Sequence, residues 1–132
     1  MTFENILQEL ASWGQILQGR HYEGFREYFY KMLQKKRVMF FWDGDNLEAV
    51  LFFFLTNDYE TLYKKGLWDV PEDEPEGHQI YGDKLVCKRF TLSLRRKIQD
   101  SVEDTFPNVE EGYYHRAPYD RCVKIKRRKV KV

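Results

Sequence analysis

Apolar positions in the first third of the chain recur at helical spacing. Thr2 is suited to N-capping. After it, Phe3, Ile6, Leu7, Leu10, Gly14 and Leu17 share one helical face, and Gly19 reads as a C-terminal stop. A second helix is predicted over 22–35, with Tyr22, Phe25, Phe29, Met32 and Leu33 on one stripe. Lys35, Lys36 and Arg37 crowd its end, where the helix dipole favours cations. The period then changes. Val38 to Trp42 and Leu47 to Leu55 are apolar runs flanking Asp43-Gly44-Asp45-Asn46, which predicts a β-hairpin with a four-residue loop. Both runs are apolar on successive residues, so both faces must be covered and helices must lie on this sheet. The two N-terminal helices could share a face or take opposite ones.

A short helix is expected near 59–65. The stretch 67–77 holds two prolines, a glycine and five acids, and reads as a loop with Trp68 as a buried anchor. A third strand is predicted over 80–89 and a helix over 92–105, striped by Leu94, Ile98, Val102 and Phe106 and closed by Pro107-Asn108. Two last strands, 110–116 and 121–127, are joined through Ala117-Pro118-Tyr119-Asp120. Val123 and Ile125 alternate with Lys124 and Lys126, so the final strand is half exposed. The fold class expected is α+β: a mixed, largely antiparallel central sheet with helices on its faces. All 132 residues are read as one domain, with a basic tail from about residue 127 to 132.

Composition supports a packed core. Ten Phe, nine Tyr and three Trp can each bury a large apolar area, which argues against disorder. No apolar run reaches the ~18 residues of a spanning helix, and the N-terminal MTFENILQEL does not have the pattern of a secretory signal. Cys87 and Cys122 are expected to be buried thiols, which points to a cytoplasmic setting. His21, His78 and His115 have no metal-ligand spacing. The net charge of +1 conceals three blocks. Five acids lie between Trp68 and Gly77, six bases between Lys84 and Lys97, and seven bases from Arg121 onward. The bases could hold an anion, either a nucleotide phosphate or a nucleic-acid backbone.

The order helix, helix, strand, strand, short helix, strand, helix, strand, strand resembles the GNAT fold of the acyl-CoA N-acyltransferase superfamily. The resemblance covers most of the chain and is topological. It implies that the strand through Leu85-Val86-Cys87 leads into a phosphate-binding turn, with the next helix aimed at the pyrophosphate of acetyl-CoA. The cofactor-binding positions would then be Val86, Cys87, Lys88, Arg89, Thr91, Ser93, Arg95 and Arg96. A helix N-terminus with nearby arginines suits phosphate on general grounds. The family turn normally reads Arg or Gln, two residues, Gly, one residue, then Gly or Ala. Here no glycine lies between Gly82 and Gly112, and Thr91, Leu92 and Ser93 occupy the turn.

The resemblance also implies catalytic positions. Acetyl transfer to an amine needs a base for the incoming ammonium and an acid for the departing thiolate. Asp83 is the carboxylate placed for the first role, and Tyr113 and Tyr114 are the phenols placed for the second. The competing readings are structural: Asp83 pairs with Lys84 or Arg89, and one tyrosine packs inward while the other faces out. The acidic stretch and the strand Tyr81-Gly82-Asp83-Lys84-Leu85-Val86 are also similar to small GNAT-like proteins encoded by tailed bacteriophages, some of which sit in the virion. Together these features predict a GNAT-like domain in a structural or interaction role, with a protein partner or a second copy of itself. An acetyltransferase is the alternative, its acidic loop drawing a cationic amine. A further alternative is nucleic-acid binding through Arg121 to Lys131, with Tyr113, Tyr114 and Tyr119 available for stacking.

Overall fold

Seven consecutive apolar residues in one strand cannot all face the same way, and this strand organises the molecule. The computed structural model describes residues 2–13, 20–63, 70, 72–116 and 121–128. The elements are α1 (Phe3–Ser12), α2 (Arg20–Gln34), β1 (Val38–Asp43), β2 (Asn46–Thr56), α3 (Tyr59–Tyr63), β3 (Gln79–Cys87), α4 (Leu92–Thr105), β4 (Glu111–Arg116) and β5 (Arg121–Lys126). The five strands form one open sheet in sequence order. Neighbours are antiparallel except β3 and β4, which run parallel and are joined through α4. The expected α+β class, with a mixed and mainly antiparallel sheet covered by helices, is what forms.

Along β2, Val50, Phe52 and Phe54 pack under α1 and α2, whereas Ala49, Leu51, Phe53 and Leu55 face α4. The two N-terminal helices therefore share a face. Their layer is aromatic: Phe52 meets Phe25, Tyr28 and Phe29 with ring centroids 5.1–5.7 Å apart. Thr2 caps α1 by accepting from Asn5 N at 3.1 Å. The expected continuation of α1 to Leu17 and the Gly19 stop lie outside the described residues beyond Trp13, as does the Trp68 anchor. Helix α2 ends in a Schellman arrangement, with Arg37 N donating to Met32 O and Lys36 N to Leu33 O. Lys36 takes the left-handed position usually given to glycine, at φ 59°.

The hairpin is tighter than its sequence suggests. Asp43 pairs with Asn46, so the loop has two residues, and Gly44 has φ 60° as the first position of a type II′ turn requires. The 67–77 loop has a structural use in its described part. Beyond β1, the edge of β2 is closed by side chains: Asp73 accepts from Leu55 N and from Arg37, and Glu74 accepts from Thr56 Oγ1 and Asn57 N. Gly77 fits against the Thr56 backbone, where an added Cβ would sit 2.6 Å from Thr56 N. Strand β3 stops at Cys87, two residues earlier than expected, while α4 spans the predicted 92–105. Among the described residues no helix is long and apolar enough to cross a membrane.

Candidate functional site

The pairing of β3 fails on one side only. It runs beside β2 from Gln79 to Cys87, but its parallel ladder with β4 covers only Gln79–Gly82 against Glu111–Tyr114. Across β2, Phe53 pairs with Gly82 and Phe52 with Lys84, so Asp83 is an extra residue, a β-bulge. The bulge reverses the side-chain alternation. Ile80 and Cys87 face α4, and Tyr81 and Val86 face α2. Past it, β3 and β4 part.

A mainly apolar cavity of about 190 Å³ lies between α4 and the opened part of the sheet. Ile80 and Leu85 of β3, Ile98 and Val102 of α4, Val109 and Ile125 contribute apolar wall, and Tyr114 and Arg95 also line it.

All three catalytic candidates border this cavity, but they do not converge. The Asp83 carboxylate turns toward α2. Its Oδ2 accepts a short hydrogen bond from the Tyr28 hydroxyl and lies 3.6 Å from Lys84 Nζ, and its side chain is 7% exposed. Lys84 also lies over the Tyr28 ring, 5.2 Å from its centroid. Burial, and then the Asp83 charge and hydrogen bond, push the Tyr28 phenol far above its ordinary range. Tyr113 lies on the α2 face, stacked on Tyr59 at 3.7 Å, and its hydroxyl donates to Glu111. That bond, first, and Lys124 hold the Glu111 carboxyl below the usual carboxylate range against the opposing effect of burial. Tyr114 is on the opposite face, half-buried in the cavity. Asp83 therefore lies beside Lys84, and Tyr113 packs inward, but Tyr114 lines the cavity instead of facing solvent.

The cofactor candidates are dispersed. Val86 is buried under α2, and the Cys87 side chain is buried under α4. The Lys88 Nζ lies 3.7 Å from Glu9 and over the Trp13 ring. Thr91 is the N-cap of α4, its hydroxyl accepting from Leu94 N at 3.1 Å. One first-turn donor that could meet phosphate is thereby used within the chain. Arg89, Ser93, Arg95 and Arg96 are exposed, and the three arginines make no ion pair among the described residues. Only Arg95 of this group borders the cavity.

The other charge blocks are similarly committed. Asp73 and Glu74 of the acidic loop hold the β2 edge, and Asn57, through its backbone and then its side chain, lowers the Glu74 carboxyl. Of the bases expected to meet nucleic acid, Arg127 donates to the carbonyls of Glu103, Phe106 and Val109 and so closes the C-terminal end of α4. Arg128 pairs with Asp100 at 2.7 Å and Lys124 with Glu111 at 3.4 Å. Tyr119, Lys129 and Lys131 lie outside the described residues, as do the side chains of Arg121 and Cys122. No metal-binding group of histidine, cysteine and carboxylate side chains occurs among the described residues.

Tyr28 and Glu111 are the participants that sequence reasoning missed. Tyr28 is one more apolar-face position of an amphipathic helix, 55 residues from Asp83. Glu111 could have been found from Glu-x-Tyr, whose side chains share a strand face. Neither the protein families nor the curated proteins compared with this chain include a match to it.

Proposed function

We propose that this chain is a GNAT-like domain that binds a partner and does not transfer an acyl group. The observation that carries this reading is the state of Asp83. A general base must be open to the incoming ammonium. This carboxylate is nearly buried, holds the Tyr28 hydroxyl and faces Lys84. The Thr91 cap in a glycine-free turn supports the same reading, because close approach of the backbone to a pyrophosphate favours glycine.

One observation favours an acyl-CoA-dependent N-acyltransferase as a second reading. Tyr114 and Arg95 both border the cavity beside the split parallel strands. Tyr114 would then supply the proton to the departing thiolate, and Arg95 would meet a phosphate.

Thermal unfolding with and without millimolar acetyl-CoA separates the two. A ligand at ~100 times its dissociation constant stabilises by about 2.7 kcal/mol, a shift of several degrees at this size. The partner-binding reading expects no shift. A shift that Arg95→Ala abolishes would replace it with the transferase reading.

A further inference from the structure

The two edges of the sheet are built differently. Strand β5 carries exposed Lys124 and Lys126, the kind of charge that discourages further strand pairing. Strand β1 carries its own charge at one end only: Val38-Met39-Phe40-Phe41-Trp42 is uncharged, Asp43 closes the strand, and Trp42 is 42% exposed, its C=O accepting from Lys97 Nζ at 3.2 Å. Among the described residues, β1 pairs with β2 alone.

The direction of its backbone groups follows from one bond. Phe53 N donates to Arg37 O, so the main chain of Arg37 faces β2. In an antiparallel ladder this direction alternates. Met39 and Phe41 therefore also bond to β2, while the N–H and C=O of Val38 and Phe40 point away from it.

Charge identifies what fits this edge. The basic turn Lys35, Lys36, Arg37 precedes β1, and Asp43 and Asp45 follow its apolar run. An antiparallel copy of the same strand, related by a two-fold axis at Phe40, sets Val38 opposite Trp42; Arg37 falls opposite Asp43 but its guanidinium is already held by Asp73, so the basic end is supplied by Lys35 and Lys36. Lys35 and Lys36, in the turn before the strand, then lie at the end of the ladder where the copy has Asp43 and Asp45. The outward N–H and C=O of Phe40 meet their own symmetry mates. A two-fold contact must be self-complementary, and a strand basic at one end and acidic at the other meets that requirement. We propose that β1 is a homodimerisation edge, joining two five-stranded sheets into one ten-stranded sheet. The inference goes beyond the partner-binding reading and does not depend on it, because the edge is independent of the cavity and of acetyl-CoA.

The charges give a test that leaves the apolar strand intact. Lys35, Lys36, Asp43 and Asp45 are all exposed. Sedimentation equilibrium of the full chain is expected to show a dimer. Lys35→Glu with Lys36→Glu should raise its dissociation constant about tenfold or more through like-charge contact, and so should Asp43→Lys with Asp45→Lys. Mixing the two variants should restore dimers as heterodimers. Amide exchange on the unmodified protein is a second readout: Val38 and Phe40 should gain protection as concentration rises, with Met39 and Phe41 protected throughout. A chain that stays monomeric to millimolar concentration overturns the proposal. So does a dimer indifferent to both charge reversals, or edge amides indifferent to concentration.

Discussion

The two faces of the sheet are covered unequally. A helix is about 10 Å across, and five strands spaced ~4.8 Å apart span about 19 Å. Two helices, α1 and α2, suffice for one face, and aromatic rings from Phe25, Tyr28, Phe29 and Phe52 fill the space beneath them. One helix, α4, cannot cover the other. It closes a core on β1 to β3 with Phe41, Leu51 and Phe53 packed against Leu94, and the cavity is left between it and the opened part of the sheet. The cavity is therefore a consequence of element count and needs no special residue to create it. What is particular to this chain is the bulge at Asp83, which ends the β3–β4 ladder beside that space.

The largest expected effect tests this contrast directly. Phe52 is fully buried among three rings, so Phe52→Ala should cost about 3–5 kcal/mol in urea unfolding. Ile98 is half-buried on the cavity wall, where solvent can follow the truncation. Ile98→Ala should cost about 1–2 kcal/mol. Equal losses would mean that both faces are packed alike.

A second difference lies in pH response. The Tyr28 phenol is raised above its ordinary value of 10.0, so folding disfavours its anion. Its contribution to stability is intact below pH 10 and falls as pH rises above that, because the unfolded chain then loses the proton first. Comparison of the unmodified chain with Tyr28→Phe between pH 9 and 11.5 should show the alkaline decline smaller in the variant. Glu74 and Glu111 act in the opposite sense. Both carboxyls are lowered, so their contributions are present above pH 4.5 and are lost on acidification below it.

The smallest effect has the opposite sign. Gly112 lies on the cavity floor, and an added Cβ would meet Ile80 Cγ2 at 3.5 Å and Ile125 Cβ at 3.9 Å, ordinary contacts. Gly112→Ala should be stabilising by about 0.4–1 kcal/mol, through the unfolded chain. A loss of stability would show that the cavity floor has no room for a methyl group.

Much of the fold was legible in the sequence because its signals are local. The Leu94, Ile98, Val102 and Phe106 stripe and the closing Pro107-Asn108 marked α4, and the unbroken apolar run of β2 required cover on both faces. The site was less legible. Gly82, a glycine inside the strand, is a local hint of the bulge beside it, but the bulge's position arises from how β3 registers against β2. The bond from Tyr28 to Asp83 spans 55 residues, and that from Arg37 to Asp73 spans 36. The acidic block reads in the sequence as a loop that could draw a cationic amine. In fact Asp73 and Glu74 complete the strand edge, a use that depends on tertiary position and leaves no trace in spacing.

The short parallel ladder has a mechanical consequence. The β4–β5 hairpin joins the rest of the sheet through only four register pairs, Gln79–Gly82 with Glu111–Tyr114. The stacking of Tyr113 on Tyr59, the grip of Arg127 on the end of α4, the Arg128–Asp100 ion pair and the bond from Gln99 to Lys126 O tie it further. Local opening should follow this seam, with β4 and β5 detaching as a unit while β1, β2 and β3 stay folded.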